Sequence, residues 1–147
     1  MVTIEDVLRL SNRMREYYGR QLKNSIPNYA FSPNEISILI LLDNNSTITT
    51  STQLRIVLGV SKALISRSVD SLMKKGLIQI SNDDMDKRIS HIKLTDESKI
   101  VLDRIQIEVR KINEKLFSSI SEEEFEHMVY LLEKMNKVIE EVDVDEI

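Results

Sequence analysis

The feature that most restricts the fold is a change of hydrophobic period at Gly76. Upstream of it, apolar residues recur every three or four positions. In residues 61–75, Leu64, Ile65, Val69 and Leu72 fall on one helix face, and Lys62, Ala63, Ser66, Arg67, Asp70 and Lys74 on the other. Ser61 stands where an N-cap is needed, and Gly76 supplies a left-handed end. Downstream, "LIQIS" alternates Ile78 and Ile80 with Gln79 and Ser81, and "ISHIKL" alternates Ile92 and Leu94 with His91 and Lys93. These predict two short strands joined through Asn82–Arg88, where turn residues dominate. Just upstream, Thr50 and Gln53 form the capping box of a short helix that stops at Gly59. Helix, a break around Gly59–Val60, second helix and hairpin is the order of a winged helix-turn-helix, whose second helix enters the DNA major groove.

The remainder reads as helix. Residues 3–24 carry Ile4, Val7, Leu8, Met14, Tyr18 and Leu22 at helical spacing, and Ser25–Phe31 is a break. "SPNE" opens the next helix, with Ser32 as N-cap, Pro33 at the first helical position and Glu35 completing a capping box. It continues through Ile36, Leu39, Ile40 and Leu42 to "DNNS". Two long helices follow the hairpin. One carries Val101, Leu102, Ile105, Val109, Ile112 and Leu116. The other starts at a Ser121–Glu124 capping box and carries Phe125, Met128, Val129, Leu132, Met135, Ile139 and Val142. The expected class is mainly α with a small β-hairpin wing, as one domain over residues 1–147.

Charge is unevenly placed. The net charge is −4, yet residues 55–93 hold eight basic against four acidic side chains, while residues 94–147 hold seven against fifteen. The middle third can therefore present a local positive surface to a polyanion. No cysteine is present, which excludes a disulfide framework, a thiolate metal site and a thiol redox switch. "MVTIEDVLRL" has acidic residues where a secretory signal needs a basic flank, and the apolar runs are too short for a membrane span, so a cytoplasmic location is expected.

The candidate sites differ in weight. On an isolated amphipathic helix, Lys62, Ala63, Ser66 and Arg67 would be an ordinary solvated face. Following a helix and a turn, they have the chemistry of a reading surface. Arg and Lys donate to phosphates or guanine edges, Ser to either, and a small residue meets a thymine methyl. "NDDMDKRISHIKLT" sets Asp83, Asp84 and Asp86 against Lys87 and Arg88. The spacing lacks the pattern and terminal glutamate of a calcium loop. Asp83 and Asp84 read as water-exposed turn residues. His91 and His127 have no companion ligands, so no metal is expected; nor is a cofactor or catalytic activity, since no nucleophile–base pair or phosphate loop is present.

"VSKALISRSVDSLMKKGLI" (60–78) followed by "DKRISHIKLT" (86–95) resembles the MarR family of transcriptional regulators, with Asp86, Arg88, Leu94 and Thr95 matching its wing signature. The likeness runs from Phe31 to about Val142. It implies a repressor binding pseudo-palindromic double-stranded DNA as a homodimer, with residues 32–95 as the DNA-binding lobe and residues 1–24 and 96–143 as dimerisation helices. Lys62, Ser66 and Arg67 would contact bases and phosphates, with Ala63 beside them and Ser61 as cap. Lys87 and Arg88 would reach the minor groove, and Thr50, Ser51 and Arg55 nearby phosphates. Asp86 and Asp70 would hold Arg88. A small anionic aromatic effector between the dimer helices and the lobe is also implied. The chain departs from the family at Ile89 and Ser98, where glycines are usual, and at Asp83 and Asp84, whose charge should weaken attraction to phosphate. Replacing both by Asn is then expected to tighten DNA binding. The alternative is a winged-helix module that docks protein.

Overall fold

A computed structural model describes residues 1–145, leaving out the side chains of Pro27 and of residues 142–145. In chain order it contains α1 (Ile4–Ser25), a 3-10 turn (Pro27–Tyr29), α2 (Pro33–Asn44), α3 (Ser51–Leu58), α4 (Lys62–Lys74), β1 (Ile78–Asn82), β2 (Ser90–Leu94), α5 (Asp96–Leu116) and α6 (Glu122–Asp145). Two compact units result, Met1–Ile112 and the segment from Asn113 onward. The fold class is the expected one, helices with a two-stranded antiparallel hairpin.

Local chemistry sets the boundaries. Capping boxes close α2 at Ser32–Glu35 and α3 at Thr50–Gln53, and α1 has a further one at Thr3–Asp6. At the start of α6, Ser121 and Glu124 exchange backbone-to-side-chain bonds of 2.8 and 3.2 Å. α4 ends in a Schellman arrangement. Gly76 adopts φ 73°, its N–H donates to the Met73 carbonyl at 2.9 Å, and the Leu77 N–H donates to the Leu72 carbonyl at 3.1 Å. Leu72 and Leu77 are both buried, which supplies the apolar contact that accompanies this motif. Ala30, closing the 3-10 turn, also has positive φ, at 47°, without being glycine. That conformation costs roughly 1–2 kcal/mol, which the burial of neighbouring Phe31 offsets.

The first unit has one contiguous core. Ile38 and Leu39 of α2, Leu54 of α3, Leu72 of α4 and Ile105 of α5 are fully buried, each contributing about 1.5–3 kcal/mol relative to exposure. The hairpin register pairs Ile78 with Leu94 and Ile80 with Ile92. Only its base is buried: Ile78 and Ile92 are covered while Ile80 is exposed, so the alternation loses its core side toward the tip. Thr95 fastens that base to the end of α4, its hydroxyl donating to the Gly76 carbonyl at 2.6 Å and its N–H to that of Leu77 at 3.1 Å. Ser98, where the resemblance led one to look for glycine, is fully buried, with its hydroxyl donating to the Thr95 carbonyl.

The two long helices differ in how their apolar stripes are covered. On α5, Val101, Leu102, Ile105 and Ile112 are buried in the core of the first unit. α6 does leave its stripe in solvent, with Phe125, Val129, Leu132, Met135 and Ile139 all exposed. Val142, counted on the same stripe, lies outside the described side chains. Ile4, Val7 and Leu8 of α1 are exposed as well. Among the described residues no helix is long and apolar enough to cross a membrane.

Candidate nucleic-acid interface

α3 and α4 are joined by a tight turn. Gly59 takes φ 63°, and the Gly59 and Val60 N–H groups both donate to the Arg55 carbonyl, at 2.9 and 3.4 Å. A left-handed residue there reverses the chain without a Cβ clash. Ser61 then caps α4, its hydroxyl accepting from the Leu64 N–H at 3.2 Å. α4 buries Ile65, Ser68, Val69 and Leu72, which turns Lys62, Ala63, Ser66, Arg67 and Asp70 to solvent. The predicted reading surface is thus presented by the burial of the opposite face.

A groove of about 370 Å³ separates the two helices and is lined by Ser51, Thr52, Arg55, Lys62, Ile65 and Ser66. A second, of about 400 Å³, runs from Thr50, Ser51 and Thr52 to Arg88, Ile89 and Ser90 of the wing. The N-terminus of α3 is therefore flanked by Arg55 and Lys62 on one side and Arg88 on the other. That is a cationic, hydroxyl-rich track suited to phosphate oxygens.

Arg88 is held and yet available. Its Nε donates to Asp86 Oδ1 and its Nη2 to Oδ2, both at 3.0 Å, and its own N–H donates to Oδ1 at 3.0 Å. The arginine side chain is nevertheless 91% exposed. Hydrogen bonds from Arg88 hold the Asp86 carboxyl below its ordinary range, and the guanidinium is raised in turn. Among the described residues the guanidinium pairs with Asp86, and no contact with Asp70 accompanies it. Asp70 belongs to the exposed face of α4, and Asp86 lies two residues from Arg88 in the same turn.

Asp83 also departs from its reading as a passive turn residue. Its Oδ1 accepts from the N–H groups of Met85 and Asp86 at 2.8 and 3.0 Å, and its Oδ2 lies 2.7 Å from His91 Nε2. His91 Nδ1 lies 2.9 Å from the Thr49 hydroxyl, and the Ile92 N–H donates to the Thr49 carbonyl. With the ring proton on Nε2, the imidazole donates to Asp83 and accepts from Thr49, which satisfies both nitrogens. The His91 hydrogen bond, then the two turn amides, pull the Asp83 carboxyl down to about 2. A carboxyl lowered on folding contributes order above its ordinary range and loses it as pH falls toward the folded value. The amides of Met85 and Asp86 should accordingly exchange faster as pH drops from about 4 to 2, after correction for intrinsic exchange. Asp84 is exposed and takes no part in this cap. No signal local to residues 82–88 pointed to Thr49, because that partner is 42 positions from His91.

Lys75, counted with the basic segment, is not available to a polyanion. Its ammonium pairs with buried Glu35 and donates to the Ser71 hydroxyl at 2.9 Å, while Ser71 donates to Glu35 at 2.7 Å. The other seven basic side chains of residues 55–93, Arg55, Lys62, Arg67, Lys74, Lys87, Arg88 and Lys93, are all exposed.

The MarR family model matches residues 31–90, the span from the start of α2 to the first residue of β2. A probable transcriptional regulator from Pseudomonas aeruginosa is 28% identical, over 90% of this chain and 96% of that one, with a TM-score of 0.70. A mutant MarR from E. coli, solved with operator DNA, is 23% identical over 86% and 91% of the two chains, also at 0.70. BpsR of Bordetella bronchiseptica, whose DNA binding is described as regulated by 6-hydroxynicotinic acid, is 18% identical over 91% and 93%, at 0.71. The family match falls on the helix-turn-helix and most of the wing, so residues 31–90 are similar to the MarR family of transcriptional regulators, and the chain shares the fold of solved members over most of its length.

Proposed function

We propose that the protein acts as a homodimeric repressor on a pseudo-palindromic duplex operator. The observation that carries this is Arg88, clamped by Asp86 yet solvent-facing, across a groove from the N-terminus of α3. In this reading Lys62, Ser66 and Arg67 face the major groove with Ala63, and Ser61 caps the helix. Lys87 and Arg88 follow the adjacent minor groove, where a narrow A·T-rich stretch attracts arginine. Thr50, Ser51 and Arg55 meet phosphates. The operator complex of the E. coli relative supports the same class of partner. Residues 32–95 form the DNA-binding lobe, and the exposed faces of α1 and α6 join two subunits. Such a role places the protein in the compartment that holds the DNA.

Titration of the duplex flanking its own gene tests this. Binding should fall with salt at a log–log slope of roughly −5 to −7, as for ~6–8 neutralised phosphates, with half-sites ~10 bp apart. Arg88→Ala should weaken it by about 10- to 100-fold, because a dimer loses two charge-assisted contacts. Undiminished binding by that variant favours a protein-docking module instead. The two tip acids should part company. Asp84→Asn removes an exposed negative charge and should tighten binding about 2-fold at low salt, whereas Asp83→Ala removes the acceptor of the turn amides and should weaken it. Equal tightening by both would overturn the distinction.

A cavity of about 260 Å³ lined by Arg15, Tyr18, Gly19, Leu22, Pro33 and Ile36, among others, offers an apolar slot with a guanidinium. Its chemistry fits a small anionic aromatic effector that releases the operator, and BpsR supplies a relative with such a ligand.

A further inference from the structure

We propose that Asp83 and His91 are positioning residues for Arg88, transmitting the placement of the α2–α3 connection to the wing; this rests on the reading of Arg88 as a DNA contact. The contacts form an unbroken series. Thr49, just before α3, holds His91 Nδ1 at 2.9 Å, and His91 Nε2 holds Asp83 at 2.7 Å. Asp83 Oδ1 fixes the Asp86 N–H at 3.0 Å, and the Asp86 carboxylate grips the Arg88 guanidinium twice. The last step alone is not enough. Asp86 and Arg88 are two residues apart in one turn, so their pair orients the guanidinium within the turn but not the turn within the lobe. The backbone bonds of the turn are also internal, Asp83 to Ile89 and Ile89 to Asp86. Among the described residues, the side-chain link from this turn to another element runs through His91.

The gain is pre-organisation. An exposed turn free to sample conformations would be ordered on binding at about 1–2 kcal/mol per residue. Here Arg88 and the Thr50–Ser51 end of α3 are already one surface, because the same connection that starts α3 also carries Thr49. Ile92 reinforces this by donating its N–H to the Thr49 carbonyl. His91 thus serves recognition from β2 without needing to touch DNA.

Two measurements on the full chain decide this. In the free protein, His91→Ala should speed amide exchange at Met85 and Asp86 by about 10-fold, the loss of one charge-assisted hydrogen bond. Unchanged exchange overturns the proposal whatever the DNA results. With the flanking duplex, His91→Ala should weaken binding about 5- to 10-fold in the wild-type background and less than about 2-fold when Arg88 is already Ala. Equal losses in both backgrounds would mean that His91 only stabilises the lobe or touches DNA itself, and would overturn it too. Asp83→Asn keeps an oxygen for the turn amides and can donate to the other imidazole tautomer, so it should restore most of what Asp83→Ala loses; no difference between the two counts against the series. A wild-type protein that binds no duplex, or an Arg88→Ala protein that binds normally, defeats the DNA reading separately, and the exchange result still stands or falls alone.

Discussion

Replacement of Lys75 by methionine is expected to lower stability by about 3 kcal/mol at pH 7, read as a fall in the urea midpoint at unchanged slope. Glu35 is only 4% exposed. Burial pushes its carboxyl upward, but hydrogen bonds from Lys75, from the Ser32 N–H and from Ser71 more than reverse this and leave it below its ordinary range. Methionine keeps much of the length of the stem and removes the ammonium, which lies 5.4 Å from the Phe31 ring centroid. Glu35 is then a buried carboxylate without its cation, the costly half of a broken pair. The low end of the usual 3–5 kcal/mol range applies because the lysine itself is partly solvated. The pH dependence has a definite sign. In the wild type a lowered carboxyl contributes stability above its ordinary range and loses it as pH falls. In the variant, burial dominates, so the folded state takes up the proton first and recovers stability as pH falls. The gap between the two proteins should therefore narrow from pH 7 to about 4.5. A gap that is absent at pH 7, or that widens in acid, would show that the Glu35 charge is not held by Lys75.

Where these contacts hid explains what a sequence can and cannot disclose. Helix ends were legible because capping is local: Ser32 meets Glu35 and Thr50 meets Gln53 within three residues. The hairpin was legible because Gly76 stops one period and the isoleucines start another. Arg88 and Asp86 were legible as neighbours, two positions apart. By contrast, Glu35 was readable only as half of a capping box, though its second oxygen reaches Lys75, 40 positions on. Lys75 therefore counted as free positive charge. Asp83 was misjudged for the same reason, since its histidine partner is anchored by Thr49 from across the fold. Apolar periodicity could show that α5 and α6 each have a stripe. It could not show that α5 buries its own within the first unit while α6 does not.

That exposed stripe on α6 carries the second large effect. If the proposed homodimer packs through this stripe, Leu132→Glu is expected to raise its dissociation constant by more than about 100-fold, moving the protein from dimer to monomer at micromolar concentration in sedimentation velocity. Phe125, Val129, Leu132, Met135 and Ile139 recur at three- and four-residue spacing on a 24-residue helix, and Leu132 remains 56% exposed. A contiguous apolar strip of that length is unusual on a monomer's surface. Packed against a second copy, each of these side chains would contribute on the order of 1–2 kcal/mol, and every substitution counts twice across a two-fold seam. Glutamate at position 132 removes two of those contacts and confronts one buried carboxylate with another. Because the monomer already exposes Leu132, the change should leave the far-UV signal and the thermal transition of the monomer nearly intact, which separates lost assembly from lost folding. Operator binding should fall more steeply than dimer content at sub-saturating protein, since two half-sites engaged together gain from effective concentration and a single lobe does not. Leu132→Ala should give a milder shift in the same direction. An unaltered dimer in the glutamate variant would remove α6 from the seam and leave the exposed face of α1, through Ile4, Val7 and Leu8, to hold the subunits together.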